Sequence, residues 1–166
     1  MREISLTQGK FAIVDDEDYE RISAHKWSFQ NGGYAVRTEK HGNSHHVILM
    51  HRVISGAREG QQVDHIDHNT LDNRKSNIRV CSPSQNHGNR GLNKNNTSGY
   101  KGVAKSVGCS TWRAYIAIDY RQISLGSYRS PVEAAMAYDK AAQEYFGEFA
   151  SFNFQRLSLE DIPEWT

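Results

Sequence analysis

An aspartate and a histidine stand side by side in the segment Gln61-Gln-Val-Asp-His-Ile-Asp67, which begins like a short strand. A loop of turn-forming residues, a second short strand and a helix start that carries Asn86 follow within about 20 residues. We expect this strand–loop–strand–helix unit to bring Asp64, His65 and Asn86 close together.

These three residue types are suited to hydrolysis. A carboxylate and an amide carbonyl are hard oxygen ligands, which favour Mg²⁺ or Mn²⁺ over Zn²⁺. A histidine beside them can deprotonate water near neutral pH. A metal ion, a water molecule and a base are what phosphodiester hydrolysis requires. An isolated Asp-His pair is more often incidental, however, so the assignment depends on the wider pattern.

The wider pattern is Val-Asp-His-Ile-Asp-x-Asn-x-Leu-Asp-Asn-Arg-x-x-Asn-Ile-Arg over residues 63–79, with a further asparagine nine residues after Asn77. It resembles the HNH nuclease family, in the branch of phage and intron-encoded homing endonucleases. Upstream segments such as Leu49-Met-His-Arg52 extend the resemblance over roughly residues 4–90.

The resemblance implies a ββα-metal active site. His65 would be the general base, and Asn77 would tie the loop between the strands and hold His65 in place. Asp64 and Asn86 would bind one Mg²⁺ or Mn²⁺ ion. His51 is expected on a neighbouring strand, in a core or DNA-contact role. The basic loop residues Arg74 and Lys75 are candidate DNA contacts.

The charge of the chain is unevenly distributed, although it sums to only +1. The net charge is 0 over residues 1–63, +2 over 64–98, +4 over 99–130 and −5 over 131–166. A basic stretch with interspersed aromatic residues can follow a phosphate backbone, and an ordinary solvated face has the same composition.

Residues after position 99 predict three strands followed by one helix. Trp112, Ala114, Ile116 and Ile118 alternate with more polar residues, which predicts a strand with one apolar face. Ser130-Pro131-Val132-Glu133 predicts the start of the helix, and Gly147 predicts its end. We expect the helix to cover the apolar face of the sheet and to leave the opposite face free.

This C-terminal segment is similar to the plant ethylene-response-factor (Apetala) DNA-binding domain over about residues 98–154. The similarity is carried by Tyr100-Lys-Gly-Val103, Trp112-Arg-Ala114, Leu125-Gly-Ser-Tyr128 and Ala137-Tyr-Asp139. It implies a three-stranded sheet that reads DNA from the major groove. The DNA-contact candidates carried over by position are Lys101, Lys105, Arg113, Tyr115, Arg121 and Arg129.

The sequence therefore predicts an α+β protein in four segments: an HNH nuclease domain (1–90), a linker (91–98), a DNA-binding domain (99–154) and a C-terminal tail (155–166). The expected function is site-preferring endonucleolytic cleavage of double-stranded DNA with one divalent metal ion. The alternative is a DNA-binding regulatory protein with an inactive nuclease half, but the intact Asp64, His65 and Asn86 argue against it. An RNA-directed nuclease is less favoured, since no RNA-recognition motif occurs.

Other classes of protein are excluded by composition. The two cysteines form no C-x-x-C pair, so neither a disulfide framework nor a thiolate zinc site is indicated. No apolar run reaches the roughly 20 residues of a membrane span, and the N-terminus is not apolar like a signal peptide. We expect a cytoplasmic, phage- or prophage-encoded protein with no small-molecule substrate, and the sequence leaves its oligomeric state open.

Overall fold

The computed structural model describes residues 1–119 and 121–154, so the expected C-terminal tail lies outside the described residues. Helices and strands are mixed along the chain, as the α+β prediction requires. No helix among the described residues is long and apolar enough to cross a membrane. The elements are β1 (Arg2–Ser5), β2 (Phe11–Val14), α1 (Asp16–Ser23), β3 (Ser28–Phe29), β4 (Ala35–His41), β5 (Ser44–Leu49), α2 (Met50–Ser55), β6 (Gln62–His65), β7 (Ile78–Cys81), α3 (Pro83–Asn89), β8 (Val103–Lys105), β9 (Trp112–Ile118), β10 (Arg121–Tyr128) and α4 (Pro131–Phe146).

The chain divides into two compact units, Met1–Ser82 and the part that begins at Pro83. The first unit contains two antiparallel hairpins, β1–β2 and β6–β7, and the three-stranded sheet β3–β4–β5. Its core includes Ile22 of α1 and Met50 and Ile54 of α2. Met50 and Ile54 are four residues apart and therefore lie on one face of their helix.

The second unit has the three strands and the long helix that the sequence predicts. The sheet is antiparallel in the order β10–β9–β8. Along β9, Ala114 and Ile116 are buried while Arg113 is exposed, which confirms the alternation. The start of α4 is also confirmed, since Ser130 Oγ accepts a hydrogen bond from Glu133 N at 3.1 Å. Four buried alanines let α4 lie close to the sheet; they are Ala134, Ala135, Ala141 and Ala142.

The boundary between the units lies before α3, whereas we expected α3 to belong to the nuclease domain that ends at residue 90. In the structure α3 groups with the second unit, because it packs against α4 and the turn that follows it. The expected linker over residues 91–98 contains neither helix nor strand. It is nevertheless attached to the second unit, since Asn96 Nδ2 donates to Tyr100 O at 2.8 Å.

Candidate active site

Asp64 and His65 occupy the end of β6 and are both about 5% exposed. Antiparallel pairing places Asp64 opposite Arg79 and His65 opposite Ile78 of β7. Neighbouring residues of a strand point to opposite faces, so the two side chains leave the hairpin in different directions. The short hairpin thus presents a carboxylate and an imidazole at the start of the loop that joins its strands.

Asn77 connects the two ends of that loop. Its Oδ1 accepts a hydrogen bond from Asp67 N at 3.1 Å, and its Nδ2 donates to Asp72 O at 2.9 Å. Its backbone carbonyl accepts from Ile66 N at 2.8 Å, directly after His65. The side chain is buried, so these bonds are shielded from water. Asn77 therefore fixes the path of the chain on both sides of the loop.

The loop is also anchored to other parts of the first unit. Asn73 N donates to Ile13 O, and Ile13 N donates to Leu71 O, each at 2.8 Å, so the loop lies along β2. Thr70 Oγ1 donates to Gly33 O at 2.6 Å, which connects the loop to the turn before Tyr34. Sequence reasoning did not identify these anchors, since they join residues about 40 to 60 positions apart.

Two aromatic rings surround the imidazole of His65. The ring of His51 lies 5.1 Å from that of His65 in an edge-to-face arrangement, and Tyr34 lies 5.3 Å from His51 and 6.1 Å from His65. The expectation that His51 lies on a strand is wrong, because β5 ends at Leu49 and His51 lies on α2. The helical spacing of Met50 and Ile54 was the signal that could have shown this.

Burial lowers the pKa of both His51 and His65. It lowers the pKa of His65, although a hydrogen bond with Asn73 and the charges of nearby aspartates act in the opposite direction. The pKa of His51 falls to about 4, first because of burial and then because His65 and Arg52 repel its charged form. A neutral imidazole is the form that can accept a proton.

The buried Asp64 forms an ion pair with the half-buried Arg79, a residue that sequence reasoning did not single out. Arg79 Nε and Nη2 donate to Asp64 Oδ2 at 3.0 and 2.8 Å. Because the two residues are cross-strand partners, their contact follows from the register of β6 and β7. The guanidinium offsets the cost of burying the Asp64 carboxylate.

The donor chemistry of Asp64 fits a hard divalent cation. Among the described residues, no group of three or more His, Cys, Asp or Glu side chains could hold a metal ion. An Mg²⁺ site does not need such a group, because it commonly combines one or two protein oxygens with water and substrate phosphate. Asp64, His65 and Asn77 lie together on the β6–β7 hairpin. Asn86, the other expected ligand, lies on α3 in the second unit and is half-buried.

The expected DNA contacts fall into three groups: residues paired with carboxylates, a lysine bound to a backbone carbonyl, and residues on or near the β8–β9–β10 sheet. Arg74 is paired with Asp72, and its Nε donates to Asp72 Oδ1 at 2.8 Å, while Lys75 Nζ donates to Glu17 at 2.5 Å. Lys101 Nζ donates to the backbone carbonyl of Gly88 at 2.6 Å. The remaining candidates belong to the sheet or its edge and are exposed, except for the half-buried Tyr115; they are Lys105, Arg113, Tyr115, Arg121 and Arg129.

Comparisons with known proteins identify similar chains. A family model described as HNH endonuclease matches residues 49–87, which contain the β6–β7 hairpin and Asn86. An uncharacterized HNH endonuclease of Acanthamoeba polyphaga mimivirus is 32% identical over 147 residues, which cover 88% of this chain and 76% of that protein. Protein 3.8 of Escherichia phage T7 is 33% identical over 107 residues, which cover 64% of this chain and 88% of the phage protein.

Proposed function

The chain belongs to the HNH endonuclease family, and we propose that it is a site-preferring nuclease of double-stranded DNA in which His65 acts as the general base. The observation that carries this proposal is the buried His65, placed beside Asp64 by β6 and held by a loop that Asn77 closes. A phage or viral origin agrees with the two viral relatives.

The chemical step follows from the state of His65. Its lowered pKa keeps the imidazole neutral at neutral pH, so it can take a proton from the attacking water. The water oxygen then bonds to phosphorus, and the bond from phosphorus to the leaving oxygen breaks. The leaving oxygen takes up a proton from solvent, and His65 returns its proton to solvent. The rings of Tyr34 and His51 limit the motion of the base during proton transfer.

Asp64 and Asn86 would hold a single Mg²⁺ or Mn²⁺ ion. When bound, such an ion supplies positive charge for the phosphate and the leaving oxygen. The donor set supports this assignment, because a carboxylate and an amide carbonyl are both hard ligands. The match of residues 49–87 to the HNH endonuclease model, which includes both residues, supports it as well.

Recognition of the DNA site would belong to the exposed face of the β8–β9–β10 sheet. Arg113 is exposed there, and its neighbours across the sheet are Ala104 and Ser127, small residues that leave its guanidinium accessible. Arg121 and Arg129 are exposed as well, but the register places Arg121 opposite Ile118, on the helix side of the sheet. A sheet of this kind, similar to the ethylene-response-factor domain, can enter the major groove.

The proposal is tested by nicking of supercoiled plasmid DNA in the presence of Mg²⁺ or Mn²⁺. EDTA should stop the reaction, and either ion should restore it. We expect His65→Ala to lower the rate by roughly 10²–10⁴-fold, because it removes general-base catalysis. Binding of DNA should persist in this variant, since His65 is not needed to neutralise phosphate. A matched control is His45→Ala, which changes an exposed histidine on β5.

Two results would contradict the proposal. A normal rate for purified His65→Ala would show that the base is another residue. Selective binding of DNA without cleavage in either metal would favour the regulatory protein with an inactive nuclease half.

A further inference from the structure

Asn73 is the most deeply buried polar residue of the loop between β6 and β7, with only 1% of its surface exposed. A buried amide group costs free energy unless its oxygen and its nitrogen find partners within the protein. The partners of this side chain therefore indicate what it does.

Strand β2 holds the backbone and the amide nitrogen of Asn73 in place. Asn73 N donates to Ile13 O, and Ile13 N donates to Leu71 O, each at 2.8 Å. The same Leu71 carbonyl also accepts a hydrogen bond from Asn73 Nδ2 at 3.1 Å. Ala12 and Val14, on either side of Ile13, are fully buried members of the core, so this support is rigid. None of these bonds uses the amide oxygen.

The amide oxygen of Asn73 is directed at the imidazole of His65. A hydrogen bond between the two side chains favours the charged ring and raises the pKa of His65 against the effect of burial. A charged imidazole can only donate, so the atom that accepts is Oδ1 of Asn73. This oxygen is buried and has no other hydrogen-bond partner among the described residues.

The nitrogen of His65 that is buried is Nε2. A neutral imidazole carries its proton on one nitrogen and accepts a proton at the other, and the hydrogen bond at the first nitrogen decides which is which. A proton on the buried Nε2 needs an acceptor within the protein, and Oδ1 of Asn73 is a buried acceptor that interacts with this ring. The lone pair then lies on Nδ1.

We propose that Asn73 is a positioning residue of the nuclease, whose Oδ1 accepts a hydrogen bond from Nε2–H of His65 and holds the ring in the tautomer that receives a proton at Nδ1. The proposal rests on the proposed function, in which His65 is the general base. When Nδ1 takes the proton of the attacking water, the ring becomes positive and the hydrogen bond to Oδ1 becomes charge-assisted and stronger. Asn77 fixes the backbone of the loop, whereas Asn73 fixes the ring itself.

The test compares Asn73→Leu with Asn73→Asp in the full-length chain. Both variants lose the donor to Leu71 O, but only aspartate keeps an oxygen directed at His65. The tautomer of His65 is measured without metal or DNA, in long-range nitrogen–proton NMR spectra of histidine-labelled protein at a pH where the ring is neutral. The signals of His65 are those absent from the spectrum of His65→Ala. We expect the Nε2–H tautomer in the wild type and in Asn73→Asp, and a mixture of both tautomers in Asn73→Leu.

The rate of plasmid nicking is measured on the same proteins, on the alkaline plateau where the added charge of aspartate no longer protonates the ring. We expect Asn73→Leu to lower the rate by roughly 10–100-fold, the usual cost of removing a residue that orients a functional histidine. Asn73→Asp should keep most of the wild-type rate, although unfolding in urea should show both variants destabilised. The matched control is Asn43→Leu, which changes an exposed asparagine in the turn between β4 and β5.

Four outcomes would overturn the inference. A proton on Nδ1 of His65 in the wild-type protein does so without any variant, even if Asn73→Leu fails to fold. An unchanged tautomer and a normal rate in Asn73→Leu would overturn the positioning role alone and leave His65 as the base. Equal loss of rate in both variants with an unchanged tautomer would show that Asn73 only stabilises the loop. A normal rate in His65→Ala would overturn the proposed function together with this inference.

Discussion

At the scale of single residues, the surroundings of His65 are the part of the site that sequence patterns reveal least. The Asp-His pair and Asn77 are visible as a pattern, but the rings of His51 and Tyr34 come from separate elements. Nothing in the local sequence of either residue marks it as a neighbour of His65. Such contacts depend on the packing of α2 and of the turn before β4 around the β6–β7 hairpin.

The buried His51 makes the stability of the protein depend on pH. Its folded-state pKa is about 4, below the ordinary value of 6.5, so the unfolded chain binds a proton more readily between these values. Stability contributed by neutral His51 is therefore complete above pH 6.5 and is lost as the pH falls towards 4. The full loss is about 3 kcal/mol, the free energy that corresponds to lowering the pKa from 6.5 to about 4.

We expect His51→Phe to remove most of this dependence, since phenylalanine keeps a ring and does not titrate. The measurement is the free energy of unfolding by urea at pH 7 and at pH 4.5. His45→Gln, which changes an exposed histidine, should unfold with the same pH dependence as the wild-type protein. An unchanged pH dependence in His51→Phe would show that His51 is not the group responsible.

Asn77 should act through position rather than through chemistry. Asn77→Ala leaves the backbone N–H of Asp67 and the carbonyl of Asp72 without this partner, at a cost of about 1–3 kcal/mol of stability. We expect the nicking rate to fall at least about 10-fold while Mn²⁺ affinity changes much less, because misplacing a catalytic group by about 1 Å can cost 10²-fold in rate. Normal melting together with full activity would contradict this role.

At the scale of elements, local signals predict what each segment is, and long-range contacts decide where it packs. The helix α4 begins at Pro131 and ends before Gly147 because its capping residues are local to the sequence. The start of α3, the helix that carries Asn86, is likewise predicted from local sequence. The elements against which α3 packs cannot be predicted from local sequence. The reason is that Gly88 of α3 contacts Phe146 and Ser151, about 60 residues further along the chain.

The exposed face of the β8–β9–β10 sheet should carry much of the DNA affinity. Arg113→Ala should reduce the slope of log affinity against log salt by about 0.9 if Arg113 neutralises one phosphate. If it instead binds a base edge, preference at one or two base pairs should relax by about 1–3 kcal/mol. Lys140→Ala, on the helix that covers the opposite face, is the control. If DNA affinity and base preference are both unchanged in Arg113→Ala, this face is not the surface that recognises DNA.

At the scale of the whole molecule, one match to the HNH endonuclease family covers a single segment of the chain, residues 49–87. Under the proposed function, a chain with one such hairpin would cut one strand in each event. We therefore expect nicked plasmid to accumulate before linear plasmid in a time course at low protein concentration. Linear product from the earliest times, without a nicked precursor, would indicate two chains that act together.

The close approach of Gly88 to Phe146 also constrains how the second unit of this nuclease can be exchanged for another. A chimera joined within the asparagine-rich residues 91–98 would keep α3 but lose Phe146 and Lys101, which contact it. A crossover between Ser82 and Pro83 would exchange α3 together with its supports. The incoming unit would then have to supply an asparagine in place of Asn86. The better junction for exchanging the second unit thus lies before α3 rather than after it.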